Sequence, residues 1–171
     1  MGYVHDTAMV IFTALEEMFF TVGTWTLTQA SNIWTWNHTA AANVSIAHIP
    51  IRLPQNSAAY KGAFLKSIDI WWSNATANIN DIVPTIYKVT LPTLLTGGSG
   101  PSVAAQTFTY DASHDTTAKR YTQDQHRMTI TLSTPIWVDN NGEVFVQLSI
   151  DAASSSVVKL QAVRANYTLR L

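Results

Sequence analysis

The chain has 171 residues, with 10 Lys+Arg against 11 Asp+Glu and a net charge of −1, so it is not built to hold nucleic acid by neutralising phosphates. It has no cysteine, which removes disulfides, thiolate metal sites and thiol nucleophiles together. Charged residues are 12% of the chain, about half the usual share, while apolar residues are 47%; such a surface suits packing against other copies or partners.

At this length one domain with its own hydrophobic core is expected. No run approaches the roughly 18 consecutive apolar residues of a membrane-spanning helix. The apolar stretch at 8–20 is broken by Thr13, Glu16 and Glu17 and lacks the basic start and cleavage site of a secretory signal. A soluble protein without leader or transmembrane segment is therefore expected.

In chain order, Asp6 and Thr7 precede Ile11, Leu15, Met18 and Phe19 at helical spacing. This predicts a short capped helix or, alternatively, an extended arm docking on a neighbouring subunit, with residues 1–20 set apart from a sandwich domain of 21–171. Strands are predicted at 21–29 and 33–36 from their Thr, Val and Trp content. Across 43–53 the apolar phase slips at Ala47-His48, which predicts a bulge or a bend between two short strands, and Pro50 and Pro54 suggest an edge or terminal position. A loop at 55–57 and a turn at Lys61-Gly62 follow.

Residues 62–73 place Ile68, Ile70 and Trp72 on one face of a strand and Ser67, Asp69 and Trp71 on the other. Further strands are expected near 85–90 and at 106–110, on either side of a glycine-rich loop within 92–101. The clearest alternation lies in 126–151, where Met128, Ile130 and Leu132, then Val144, Val146, Leu148 and Ile150, recur at period two. With Asp139-Asn140-Asn141-Gly142 between the arms, it predicts an antiparallel hairpin. A last alternating strand falls within 157–171. Many short strands without an internal repeat predict an all-β antiparallel sandwich, jelly-roll-like.

Ionisable residues concentrate at 111–127: Asp111, His114, Asp115, Lys119, Arg120, Asp124, His126 and Arg127. Asp and His could ligate a metal or transfer protons, but the segment has no metal-ligand spacing, P-loop or nucleophile elbow. A solvated loop whose Asp residues cap turns and pair with Arg accounts for the same residues. No catalytic, cofactor-binding or metal residue is assigned, and no cofactor is expected. The aromatic residues admit two roles. Flat rings of Trp25, Trp34, Trp36, Trp71 and Trp137 could stack on sugars, or rings could pack in the core and between subunits.

The segments Met1-Gly2-Tyr3-Val4-His5-Asp6-Thr7, Asn56-Ser57-Ala58-Ala59-Tyr60-Lys61-Gly62 and Tyr110-Asp111 with His114-Asp115-Thr116 add a further indication. Together with His126-x-Met128-Thr129-x-Thr131-Leu132 and Pro135-x-Trp137, the chain resembles uncharacterised β-rich virion structural or head-decoration-type proteins of tailed-phage-like and environmental genomes. The resemblance implies a virion location and shell or virion partners, and carries no active-site residues.

Together these readings lead to a non-enzymatic structural protein that self-associates, as a closed ring such as a trimer, in or on a virion-like assembly. Phe12, Met18, Phe19, Phe20, Trp71, Trp137 and Phe145 are the candidate subunit or ligand contacts. Asp111, His114, Asp115, Arg120 and His126 are the polar-loop candidates. The alternative is a glycan- or receptor-binding sandwich module that uses exposed Trp and Tyr rings.

Overall fold

A computed structural model describes residues 6–54, 62–93 and 100–170. The loops read at 55–57 and 97–99 and the turn residue Lys61 lie outside the described residues. Within them the strands are β1 (Asp6–Thr13), β2 (Phe19–Val22), β3 (Trp25–Ala30), β4 (Ile33–His38), β5 (Asn43–Ile51) and β6 (Ala63–Asn74). They continue with β7 (Asp81–Thr90), β8 (Ser102–Gln106), β9 (Phe108–Tyr110), β10 (Gln125–Val138), β11 (Gly142–Ala152) and β12 (Val158–Arg170). A single helical turn, α1 (Thr117–Arg120), precedes β10.

The chain is an all-β sandwich of two antiparallel sheets. One is seven-stranded in the order β3-β4-β12-β6-β10-β9, with β1 also on β12; the other is five-stranded in the order β2-β5-β11-β7-β8. The edge of β12 is shared: Lys159 and Leu160 pair with β4, and residues 163–170 pair with β1. The chain passes repeatedly from one sheet to the other, as in a jelly roll. Alternation explains the core. Ile68, Ile70, Trp72, Met128 and Ile130 enter it from the larger sheet, and Ile49, Val146, Leu148 and Ile150 meet them from the smaller, all fully buried. Each such large side chain contributes about 1.5–3 kcal/mol.

Several sequence expectations are corrected. The two arms of 126–151 do not pair: β10 lies between β6 and β9, while β11 lies between β5 and β7. Asp139 makes the corner that carries the chain across, its carboxylate accepting from the Asn141 amide and its carbonyl from the Gly142 amide. Both arms bury one face, as their alternation requires, but against each other across the core rather than side by side.

The N-terminal stretch is not a helix beyond a 3-10 turn at Leu15–Glu17. Its first part is β1, an extended segment that docks on β12 of its own sheet. Helical spacing lost to an available ladder edge. β5 runs without a bulge: Ser45, Ala47, Ile49 and Ile51 are buried, and Val44 and Ile46 point outwards. The slip in apolar phase therefore marks apolar residues on an outer face. β5 is not an edge strand, since it lies between β2 and β11, but its prolines are terminal: Pro50 is the next-to-last residue of β5, Pro54 lies beyond its end, and the β2 ladder stops at His48. Residues 106–110 divide between β8 and β9, which belong to different sheets.

Candidate functional site

The outer face of the seven-stranded sheet is built around one buried carboxylate. Asp69 on β6 is the Cα partner of Thr129 on β10 and of Arg164 on β12, and Arg164 is in turn the partner of Phe12 on β1. Asp69 is 1% exposed although it points away from the core. Its oxygens accept from Thr129 Oγ1 at 2.5 Å, Asn166 Nδ2 at 3.0 Å, and Arg164 Nε at 3.0 Å and Nη2 at 2.5 Å. Burial alone would raise its pKa. The donated hydrogen bonds and the Arg164 charge outweigh that, so the Asp69 carboxyl lies below the ordinary range and is ionised.

Trp71 stands on the same face, two residues along β6. It is half-buried, whereas Trp72 is fully buried in the core, so the adjacent rings leave the sheet in opposite directions as the alternation requires. The guanidinium of Arg127 and that of Arg164 each lie 5.2 Å from the Trp71 ring centre, and the Phe12 ring lies 6.1 Å away. Arg127 also lies 3.6 Å from Asp69 but keeps 55% of its side chain exposed. The ring is thus fixed by cations that are themselves tied to a buried anion.

Next to Trp71 a groove of about 450 Å3 opens on the same face. Ile33 and Thr35 of the β3–β4 hairpin form one wall, and Ser73, Gln125 and Lys159 form an adjoining row in register across β6, β10 and β12. The register shift in β12 between Leu160 and Ala162 adds Gln161, whose amide donates to Gln125 Oε1 at 2.8 Å. Asp124 and Gln123 close the far end. Two residues beyond Asp69 towards the start of β6, Ser67 pairs with Asn166, and then Phe64 packs on Trp137 with ring centres 4.6 Å apart. The face therefore offers rings at Trp71 and Trp137 with amides, hydroxyls and cations around them.

The polar segment 111–127 is a pinned loop. Asp111 accepts from the amides of Ser113 and Thr129 and from His114 Nδ1 at 2.9 Å. Burial would raise the Asp111 pKa, but the Thr129 amide, His114 and the Ser113 amide lower it further than burial lifts it. His114 Nε2 faces His126 Nδ1, and the His126 ring stacks on Trp72 at 4.7 Å and 9°. Arg120 binds Asp81 through Nε and Nη2 and donates to the His114 carbonyl. Asp115 pairs with Lys119 on the surface. His114, Arg120 and His126 are buried, so the predicted residues do converge, but as an anchor of the loop on Trp72. Among the described residues no group of three His, Asp or Glu side chains is placed to hold a metal.

The predicted contact residues divide. Phe12 is 57% and Phe19 62% exposed, while Trp71, Trp137 and Phe145 are half-buried on outer faces. Met18 is not a surface residue: it is 4% exposed and part of the core. Phe20 stacks on Trp25 at 4.5 Å and packs on Trp36, closing one end of the sandwich. Of the other predicted platform rings, Trp36 is tied by a hydrogen bond from its indole to the Leu15 carbonyl, and Trp34 is exposed at the hairpin tip. Sequence reasoning missed Asp69, Arg164 and the groove, because cross-strand partners set them and no spacing along the chain records those.

No family model matches the chain, and no curated protein matches it. Among solved structures it is similar to a low-affinity xylan-binding module from Roseburia intestinalis, at 11% identity over 93% of this chain and 94% of that one, with a TM-score of 0.40. A family 29 carbohydrate-binding module from Piromyces equi aligns at 10% identity over 96% of this chain and 89% of that one, with a TM-score of 0.38. The enzymatically active domain of tailspike protein 4 of bacteriophage CBA120 aligns at 7% identity and a TM-score of 0.43 over 89% of this chain, which spans 20% of that one.

Proposed function

We propose that the chain is a glycan-binding β-sandwich module whose contact surface is the outer face of the seven-stranded sheet, from Trp71 into the groove at Gln125 and Lys159. The observation that carries this reading is the mounting of Trp71. A sugar presents an apolar C–H face bordered by hydroxyls that both donate and accept. A fixed ring beside amides and guanidinium groups meets both demands. Because Asp69 already locks Arg164, and Gln161 locks Gln125, little side-chain freedom remains to be lost on binding. The test is a glycan array followed by calorimetry on the wild type and on Trp71→Ala, with thermal unfolding to check the fold. Binding that disappears in the variant is expected; an array without a single ligand, or unchanged binding by Trp71→Ala, overturns the reading.

A second reading, self-association of a structural protein, is favoured by the opposite face. On the outside of the five-stranded sheet, Phe19, His48, Gln147 and Thr85 form one row across the strands. Val22, Ile46, Ser149 and Val83 form another, and Pro50, Phe145, Tyr87 and Ala105 a third. None of these rows holds a Lys, Arg, Asp or Glu. With the end rows that carry Glu143, Asp81 and Asp151 included, the five strands give a face of roughly 700 Å2, near the ~800 Å2 per partner of a standard interface. A second copy is the occupant this area suits, and the resemblance of the sequence extends the reading to a shell component. The two readings use different faces and are compatible.

A further inference from the structure

Charge is unevenly placed on this molecule. Of the chain's 10 Lys+Arg, four lie on the outer face of the seven-stranded sheet: Lys66, Arg127, Lys159 and Arg164. The carboxylates on this face and in the groove, among the described residues, are Asp6 at the far β1 edge, Asp69, and Asp124, which accepts from the Gln125 amide. Asp69 is consumed: it is buried, and its oxygens are taken by Thr129, Asn166 and Arg164. Arg127 reaches it only at 3.6 Å and remains more than half exposed. Among the described residues Lys66 and Lys159 pair with no carboxylate, and the cations mark a line along the face, Lys159 in the groove, Arg127 over Trp71 and Lys66 over Phe64 at 5.8 Å.

Resting on the glycan reading above, we propose that the ligand is an acidic glycan, one carrying carboxylate or sulfate groups along its chain. A neutral sugar takes hydrogen bonds from the amides and guanidinium groups but leaves the charge of a row of incompletely paired cations unanswered, and such a row costs self-repulsion when left alone. An anionic chain lying along the face would place its acid groups against Arg127 and Lys159 while its sugar faces meet Trp71. Arg127 is suited to the first contact, since a guanidinium binds a carboxylate or sulfate through two parallel hydrogen bonds. Attraction between exposed charges also weakens with salt, as the Debye length falls from about 10 Å at 0.1 M to about 3 Å at 1 M.

The experiment is calorimetry of the full chain with polygalacturonate, dextran sulfate and neutral dextran, at low and high salt. The variants are Arg127→Gln, Lys159→Gln and, as a control off this face, Lys119→Gln. Expected are binding to at least one of the two polyanions, loss of that binding at high salt, roughly tenfold weaker binding by Arg127→Gln and Lys159→Gln, and no change with Lys119→Gln. Binding to polygalacturonate alone assigns carboxylates, and to dextran sulfate alone assigns sulfates. Equal binding of dextran and the polyanions, or equal weakening by all three variants, overturns the acidic-ligand inference and leaves the groove reading standing. Failure of the two polyanions while neutral glycans bind the array overturns the inference alone; failure of every glycan overturns both.

Discussion

Nδ1 of His126 lies 3.4 Å from Nε2 of His114. The outer nitrogens of both rings are committed to acceptors, His114 Nδ1 to the Asp111 carboxylate at 2.9 Å and His126 Nε2 to the Thr122 carbonyl at 3.0 Å. Each outer nitrogen therefore carries a hydrogen. Side-chain nitrogen NMR is expected to find a hydrogen on His114 Nδ1 and on His126 Nε2; the reverse tautomer in either ring would contradict these hydrogen bonds. His126→Ala removes the bond to the Thr122 carbonyl and the stack on Trp72, and is expected to cost about 2–4 kcal/mol in urea unfolding.

Asp69 is a buried carboxylate that holds Thr129, Arg164 and Asn166 together. Asp69→Asn leaves the partly exposed Arg164 guanidinium against a neutral amide and is expected to destabilise by about 1.5–3 kcal/mol. The pH dependence has a definite sign. The folded-state pKa of Asp69 is below its ordinary value of 3.8, and that of Asp111 is likewise lowered, so the unfolded chain binds more protons in acid. The stability these two carboxylates contribute is in place above pH ~4 and is lost as pH falls through their folded values. Urea midpoints measured from pH 7 down to pH 2 should decline below pH ~4 in the wild type and decline less steeply in Asp69→Asn.

What could be read from the chain alone follows from what alternation encodes. The period of two in β6, β11 and β12 assigns each residue a face, so the opposite placement of Trp71 and Trp72 and most of the core were legible. Alternation does not name the neighbouring strand. Met128 and Val146 both look inward whether their strands pair or face each other across a core, and here they face each other. The anchor at His114 and His126 was visible as a local cluster within 111–127. The site around Asp69 was not, because Arg164 lies 95 residues away along the chain and meets it only through the β6–β12 register. At the N-terminus, the spacing of Ile11, Leu15 and Met18 fitted a helix, but the open edge of β12 supplied eight ladder partners that a helix there could not use.

Gly62 precedes β6 with φ +97°, and a Cβ there would lie 2.6 Å from the Trp137 ring and 2.9 Å from the Val138 carbonyl. Gly62→Ala combines a left-handed backbone with overlap against a ring that itself packs on Phe64, and is expected to cost about 1–3 kcal/mol. Gly142 provides the contrast, since its nearest neighbour to an added Cβ is Asp139 Oδ1 at 3.4 Å and its φ is ordinary. Gly142→Ala should stay within about 0.5 kcal/mol of the wild type. Thermal unfolding of the two variants side by side checks the difference. Equal effects would mean that the ring does not occupy the place assigned to it.

The outer face of the five-stranded sheet makes a prediction about concentration. Phe19 is 62%, Val103 58% and Val83 38% exposed, on a face whose central rows hold no charge. Water must order around that surface in the monomer, and a second copy removes it at about 25 cal/mol per Å2 of apolar area, less the loss of rigid-body freedom. Light scattering should therefore find a dimer or a larger closed ring whose population rises with protein concentration. Phe19→Lys and Val83→Lys place a cation inside the contact without touching the core. They are expected to return the protein to monomer with a melting temperature, extrapolated to low concentration, close to that of the wild type. Because the face proposed to bind glycan lies on the other sheet, both variants should keep any ligand affinity per site and lose any gain from several sites binding one polymer together. A wild type that stays monomeric at high concentration, or Lys variants that still assemble, would remove this face from the assembly reading and leave the Trp71 groove unaffected.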